Sequence, residues 1–402
     1  MTTKDGSPLK RTLGLGVLVL YGLGIVVGAG IYVSIGAVIA AAGSATPWSF
    51  ALAGALAALT GLSYAELAAR YPEAAGAPAF VKEAFGSDLL SRLTGATVAL
   101  VVVVSAASIA RGCAAYLQVY LDAPAAPVAF GVALLALLIA CLGVRESVGV
   151  AAVMTVVEIG GLLLVVAAGW TSAEGAADRL PGLVPHGADW GGVFAGAFLA
   201  FFAFIGFENL VNMAEEAREP ERTLPRAILL SLGLSTLLYV AVALTAALVA
   251  SQEELAGSAT PLLTLAQGAA WFPGGAFTLV AIVAVANGVL IELVMLGRLI
   301  YGMARRGWLP AGLAAVTSGL GVPLAATLTG GAIVLVLTAA LPFGSLVALS
   351  SSLSLLVFAA VNAALWRLHH VAPRRSGFRA PGFAPPLATV ASLALAAGAS
   401  LA

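Results

Sequence analysis

Charge is what this 402-residue chain has least of: Lys and Arg number 19 and Asp and Glu 19, together 9% of the residues, against 61% hydrophobic and a mean hydropathy of +1.05. So few charges cannot cover the surface of a soluble domain of this length, which leaves a polytopic membrane protein. Cysteine is nearly absent. Cys113 and Cys141 both fall inside apolar runs, so neither a disulfide framework nor a thiolate metal site is expected. The three histidines, His186, His369 and His370, lie in predicted loops and show no metal-ligand spacing. No P-loop, dinucleotide fingerprint or hydrolase motif is present, which argues against an enzyme or a primary pump. No cofactor, metal or nucleic-acid partner is expected.

What is there is a succession of apolar runs of about 20 residues, each long enough for a hydrocarbon core of about 30 Å. Eleven are read: 13–42, 47–68, 90–120, 127–143, 148–170, 190–213, 226–250, 275–303, 322–341, 344–368 and 383–401. The first is too long for a signal peptide, lacks a small-residue cleavage site and is followed by further spans. It is expected to stay as a helix.

Lys and Arg near the span ends set the orientation. With the N-terminus cytoplasmic, seventeen of them, from Lys4 to Arg379, collect on one side, and only Arg179 lies on the other. The opposite loops carry acids such as Asp122, Glu174, Asp178, Asp189, Glu253 and Glu254. Odd-numbered spans then run outward through a cytoplasmic (inner) membrane. Five spans per repeat is an odd number, so a second copy is inverted relative to the first. The expected organisation is a cytoplasmic tail 1–12, a first repeat 13–170, an extracellular loop 171–189, a second repeat 190–368, and a cytoplasmic loop with an eleventh span over 369–402. "AEEAREPERTLPRAI" (214–228) reads as a solvated connection with Pro225 starting the next helix.

Two stretches break the pattern. "GIVVGAGIYV" (24–33) puts Gly24, Gly28 and Gly30 in mid-span 1, and "FFAFIGFENL" (201–210) puts Gly206, Glu208 and Asn209 at mid-depth in span 6. A glycine costs about 1 kcal/mol against alanine in a helix interior, and open backbone at membrane depth survives only where protein or a cavity satisfies it. An interrupted helix leading each half points to an inverted-repeat transporter with its site at the midplane. The outer half of span 1 would begin near Gly30 and Ile31 and offer N–H groups to a carboxylate. The outer half of span 6 would end over Phe202, Ala203, Phe204 and Ile205 and offer carbonyls to an ammonium. Such a pair receives a zwitterion without a charged side chain. For the first stretch alone, close helix packing is an equally good reading.

These stretches, together with "FFAFIGFENLVNMAEEAREPERTLPRAI" (201–228) and "ANGVLIELVMLGRLIYGMARRGWLP" (286–310), resemble the amino acid–polyamine–organocation superfamily, specifically bacterial permeases related to the cationic amino acid transporters. The resemblance implies an all-α LeuT-type fold with a 5+5 inverted repeat, about eleven transmembrane helices and helices 1 and 6 broken at the midplane. It also implies alternating access, with spans 3, 8 and 10 completing the pocket. By matching positions, Gly28, Ala29, Gly30 and Ile31 would bind the substrate carboxylate, and Phe202 to Ile205, ending at Gly206, the amino group.

Ionisable groups at membrane depth are expensive and are functional candidates. Glu158 sits ten residues into span 5, about 15 Å deep. Related permeases often carry a lysine there, at the place where sodium-coupled relatives hold sodium; this chain departs from that pattern. A carboxyl can still take a proton, because desolvation disfavours the ionised form. A permanently neutral, hydrogen-bonded Glu158 is the alternative. Leu296 and Gly297 stand where a sodium site would offer hydroxyls, so the proton is the expected coupling ion and sodium ranks second. Glu292 in span 8 is a partner for Glu158 or for Arg298. Glu208 holds the broken backbone, serves a gating network or contacts the substrate, Asn287 hydrogen-bonds across helices, and Arg111 in the outer part of span 3 snorkels outward or pairs with an acidic loop, with a gate as the lesser reading. The expected function is proton-coupled amino acid symport by a monomer in the lipid bilayer. A polyamine or organic-amine carrier or exchanger is the runner-up, and an amino acid sensor is the non-transport alternative.

Overall fold

In a computed structural model the chain is described over residues 13–72, 76–142, 148–171, 173, 175–187, 189–214, 216–317, 322–373 and 377–398, with the side chains of 148–152 excepted. The expected tail, most of the loop around Arg145, Glu174, Arg374, Arg375 and residues 399–402, three of which belong to the expected eleventh run, lie outside these. Among the described residues the regular structure is helical: seven helical stretches are long and apolar enough to cross a membrane, Gly30–Arg70 counting as one, and four shorter apolar helices accompany them; in chain order they are grouped into eleven spans. Span 1 is two pieces, 1a (Leu15–Val27) and 1b (Gly30–Ala42), followed by span 2 (Thr46–Arg70), span 3 (Asp88–Leu117), span 4 (Ala125–Cys141) and span 5 (Val148–Thr171). Span 6 is again two pieces, 6a (Asp189–Ala200) and the short 3₁₀ segment 6b (Phe207–Met213). Span 7 (Pro220–Val249), span 8 (Gly274–Arg305), span 9 (Leu324–Ala340), span 10 (Phe343–Val371) and span 11 (Ala384–Gly398) complete the set. The all-helical, polytopic fold expected from the apolar runs is the fold observed.

Two local expectations need correction. Span 7 starts at Pro220 and not at Pro225: Glu219 takes a left-handed conformation (φ 46°), Pro220 occupies the first turn, where a missing N–H is harmless, and Pro225 lies inside the helix. His369 and His370 belong to the last turn of span 10 and not to a loop, because that helix runs past the apolar stretch.

His369 shows what the extension does. The buried carboxylate of Glu66 in span 2 accepts hydrogen bonds from Arg70 Nε (2.9 Å) and Nη2 (2.6 Å) and from the Ala380 amide (2.7 Å), and it lies 2.8 Å from His369 Nε2. One acid therefore ties span 2 to the end of span 10 and to the segment entering span 11. Arginines close several helix ends where carbonyls lack intrahelical donors. Arg70 Nη1 donates to Ala372 O, Arg367 Nε to Ala84 O at the end of the connecting helix Gly76–Phe85, and Arg179 Nη1 to Leu248 O at the end of span 7.

Arg111 belongs to this group. Its Nε donates to Thr338 O (2.7 Å) and its Nη2 to Ala339 O (3.3 Å), in the last turn of span 9. The guanidinium is held as a cap, which accounts for an arginine in span 3 without a gate. Arg111→Met is therefore expected to lower stability by about 1–2 kcal/mol through the lost cap and charge–dipole contact. Thermal melting and equilibrium substrate binding would check it: a lower melting temperature with parental affinity fits a cap, and weakened binding at unchanged stability fits a gate.

Candidate functional site

The interruption of span 1 is short. Gly28 still donates its N–H to Gly24 O (3.0 Å), Ala29 takes φ −105° and ψ −27°, and 1b begins at Gly30 with no side chain capping it. Span 6 is more open. After 6a a single 3₁₀ turn, Phe201–Phe204, leads to an extended Ile205 (φ −63°, ψ 134°) and to Gly206 at φ 119°, a value open essentially to glycine. Glu208 folds back so that its Oε2 accepts the Gly206 N–H (2.8 Å). Of its expected roles, holding the broken backbone is the one the geometry displays.

Four glycines around the middle of span 1, Gly22, Gly24, Gly28 and Gly30, divide their work. Gly22 packs against Ser231 and Leu210, and Gly24 against Thr155, so these two allow close helix approach. Gly28 and Gly30 flank the break. A Cβ on Gly28 would lie 3.4 Å and 3.6 Å from the carboxylate oxygens of Glu158, which places that acid directly against the break. A Cβ on Gly30 would lie 2.6 Å from Ala203 Cα and 2.8 Å from Ala203 O, so the start of 1b rests on the backbone of span 6. The two interruptions read from the sequence thus touch each other.

Tyr239 of span 7 ties them together. Its buried hydroxyl lies 2.7 Å from Val26 O and 3.0 Å from Ala203 O, and its single proton serves one carbonyl at a time. Phe50 and Phe204 pack edge-on against its ring and hold it there.

Beside the break is a cavity of about 30 Å³, room for a water-sized occupant and far short of an amino acid. Gly28, Ala29, Glu158, Asn287 and Glu292 line it, with Asn209, Ile109, Ala284, Gly288 and Ile291 among the rest. Glu158 and Glu292 therefore share one cavity. Glu292 accepts from Ser105 Oγ (3.2 Å), and Arg298 is exposed, with no ion pair to it among the described residues. Glu158 is buried, its Oε2 has no hydrogen-bond partner among the described groups, and its backbone carbonyl accepts from Tyr32 OH (3.0 Å). Gly30, Ile31 and the segment Phe202 to Gly206 do not line this cavity; they form the closed contact beside it.

Aromatic rings close the surroundings from both sides. Toward the acidic loops, Tyr32 stacks on Phe277 at 6.1 Å and its carbonyl accepts from Tyr116 OH (3.0 Å). Toward the basic face, Tyr64 meets Phe80, Phe207 and Phe358 at 5.5–6.1 Å, and Leu13 pairs with Glu216 and Arg218 through two backbone hydrogen bonds. Asn209, Tyr239 and Ser105 were not singled out as site residues by the sequence reading. Asn209 carried a signal, being polar in the break of span 6; the other two are ordinary at their positions.

Gly206→Ala is expected to cost about 1–3 kcal/mol, because an L side chain is strained at this φ and its Cβ would meet the Ile25 side chain at 2.5 Å. A denaturant or thermal melt measures it; parental stability would mean that the segment relaxes freely.

A family model described as amino acid permease matches residues 13–401. An uncharacterized transporter of Mycobacterium tuberculosis is 34% identical over 98% of this chain and 90% of its own length. The branched-chain amino acid permease BcaP of Bacillus subtilis is 29% identical over 94% of this chain and 86% of its own. Cationic amino acid transporter 3, mitochondrial, of Arabidopsis thaliana is 28% identical over 90% of this chain and 60% of its own. A match over nearly the whole length, on a chain whose first and sixth spans are both interrupted and meet in mid-membrane, settles the family: this chain belongs to the amino acid permeases and is a membrane transporter, not an enzyme.

Proposed function

We propose that the protein is a secondary active transporter that moves α-amino acids by alternating access between two inverted five-helix repeats, with its N-terminus cytoplasmic, in the cytoplasmic membrane. The observation that carries this reading is the contact of the two breaks, Gly30 on Ala203, with the amide end of 1b and the carbonyl end of 6a at one level. Separating them by a few ångströms opens a slot with donors for a carboxylate on one wall and acceptors for an ammonium on the other. Relatives bear names for branched-chain and for cationic substrates, in keeping with recognition centred on the amino acid backbone.

Proton coupling follows from the place of Glu158. Its carboxyl lies against Gly28, where the substrate carboxylate would be held. Two like charges about 4 Å apart at an effective dielectric near 20 repel by about 4 kcal/mol. A protonated Glu158 removes that repulsion, so proton and substrate favour each other's binding. Sodium ranks second, since the span 8 residues beside the break, Ala284 and Gly288, carry no hydroxyl; Leu296 and Gly297, expected at that place, pack against span 9 instead.

Equilibrium binding of an amino acid beside its methyl ester and its N-acetyl form tests the substrate class. Loss of about 100-fold or more for each blocked form is expected if both charged ends are read. The runner-up, an amine carrier, has its own support: Glu158, Glu292, Asn209 and Asn287 line a cavity that no basic side chain enters. Parental affinity for the ester or for the decarboxylated amine would favour it.

A further inference from the structure

A second cavity, of about 210 Å³, lies between spans 5 and 8, walled by Met154, Val157, Leu279, Val280 and Val283, and it shares only Glu158 and Ala284 with the central one. Its walls are exposed: Val157 on span 5 at 42%, Leu279 and Val283 on span 8 at 58% and 48%. In a bilayer this cleft faces hydrocarbon. Glu158 lies ten residues into span 5, so the shared wall is near the midplane, about 15 Å from either edge of the core.

The same face of span 8 continues toward the basic side. Val283, Leu290, Val294, Tyr301 and Arg305 follow steps of seven, four, seven and four, which keep them on one stripe at 3.6 residues per turn, and Arg298 flanks it; Leu290, Val294 and Tyr301 are half-buried, and Asn287, one turn after Val283, lines the central cavity. Arg298 is fourteen residues beyond Ala284, about 21 Å, which is past the half-core and at the level of lipid phosphate. Arg298 and Arg305 are both exposed, and the Arg305 guanidinium sits 5.9 Å over the Tyr301 ring. Neither has an acidic side chain within ion-pair distance among the described residues. Arg298 at phosphate depth, Arg305 about 10 Å further along the helix with its guanidinium turned back over Tyr301, a half-buried apolar stripe and a cleft at the midplane succeed one another along span 8.

We propose that this face binds one anionic phospholipid of the leaflet on the basic side, its phosphate on Arg298 and Arg305 beside Tyr301 and one acyl chain lying along span 8 into the cleft. Charge complementarity selects the headgroup, and dispersion contacts in the cleft seat the chain end. The chain end lies on the outer side of the wall formed by Glu158 and Ala284, so an occupied cleft keeps water from reaching Glu158 through the membrane side. The site is independent of which substrate the central cavity takes.

Binding of dipalmitoyl phosphatidylglycerol and dipalmitoyl phosphatidylcholine to the purified, delipidated full-length protein, followed by native mass spectrometry, tests this. Phosphatidylglycerol is expected to bind the more tightly, and Arg298→Gln and Arg305→Gln each to reduce that preference about fivefold. Arg222→Gln, at an exposed arginine of span 7 loosely paired with Glu219, serves as the charge-matched control and should leave it unchanged. Val283→Trp, which fills the cleft, should weaken the dipalmitoyl lipid and spare dioctanoyl phosphatidylglycerol, whose chains are too short to reach the midplane. A preference that survives the double arginine substitution, or that Arg222→Gln lowers equally, would overturn the headgroup site. Equal effects of Val283→Trp on long and short chains would overturn the chain seat.

Discussion

Glu158→Gln is expected to bind substrate and to reorient with it, yet to lose acceleration by an inward proton gradient. Glutamine is nearly isosteric with the protonated acid, so it preserves the packing against Gly28 and removes the one carboxyl that lies against the break of span 1. Counterflow, which needs only the loaded carrier to turn over, should persist. Gradient-driven accumulation should fall to the level seen without a gradient. An unpaired carboxylate at this depth costs several kcal/mol, a cost that a proton or a cation on Glu158 would lower. Proton-driven uptake by the glutamine variant at the parental rate would make Glu158 a permanently neutral structural acid, and Glu292, which lines the same cavity, would be the next residue to replace. Sodium stimulation of the parent that disappears in the variant would instead assign Glu158 to sodium.

Gly30→Val is expected to abolish binding, with affinity lowered at least about 100-fold, or about 2.7 kcal/mol. A Cβ at this position meets the Ala203 backbone at 2.6 Å, and backbone cannot swing aside as a side-chain tip can. The branched side chain would wedge spans 1 and 6 apart and cover the amides offered to the carboxylate. Gly30→Ala, with one methyl, separates the two effects, since it meets the same backbone but leaves most of the amide face open. Gly22→Ala is a control for packing, because its Cβ would meet the Ser231 and Leu210 side chains and not the Ala203 backbone. Parental binding by a well-folded Gly30→Val variant would remove the proposed site altogether.

The eleven spans were legible because membrane insertion imposes a length and a hydropathy that few residues violate. The expected run 344–368 and the observed helix Phe343–Val371 differ by three residues at one end, where the helix continues beyond the apolar stretch to bring His369 to Glu66. Both breaks were legible because mid-span glycines beside polar residues conflict with an uninterrupted helix. The double role of "GIVVGAG" was not: only the neighbours of each glycine separate Gly24, which packs against Thr155 as Gly22 before it packs against Ser231, from Gly28 and Gly30, which flank the break. Arg111, in the outer part of span 3, reads from the sequence as snorkelling outward or pairing with an acidic loop, with a gate as the lesser reading; the carbonyls it donates to stand at the end of span 9, more than 220 residues away in the chain. Tyr239 is an unremarkable tyrosine in an apolar helix until Val26 O and Ala203 O are both found at its hydroxyl.

The most direct test of the transport assignment is uptake of a panel of labelled amino acids and amines into proteoliposomes containing the purified protein, with an inward proton gradient imposed and then abolished. At least one α-amino acid should accumulate above its external concentration only while the gradient lasts. Amines accumulating with no amino acid moved, or amino acids bound at equilibrium and never carried across, would contradict it.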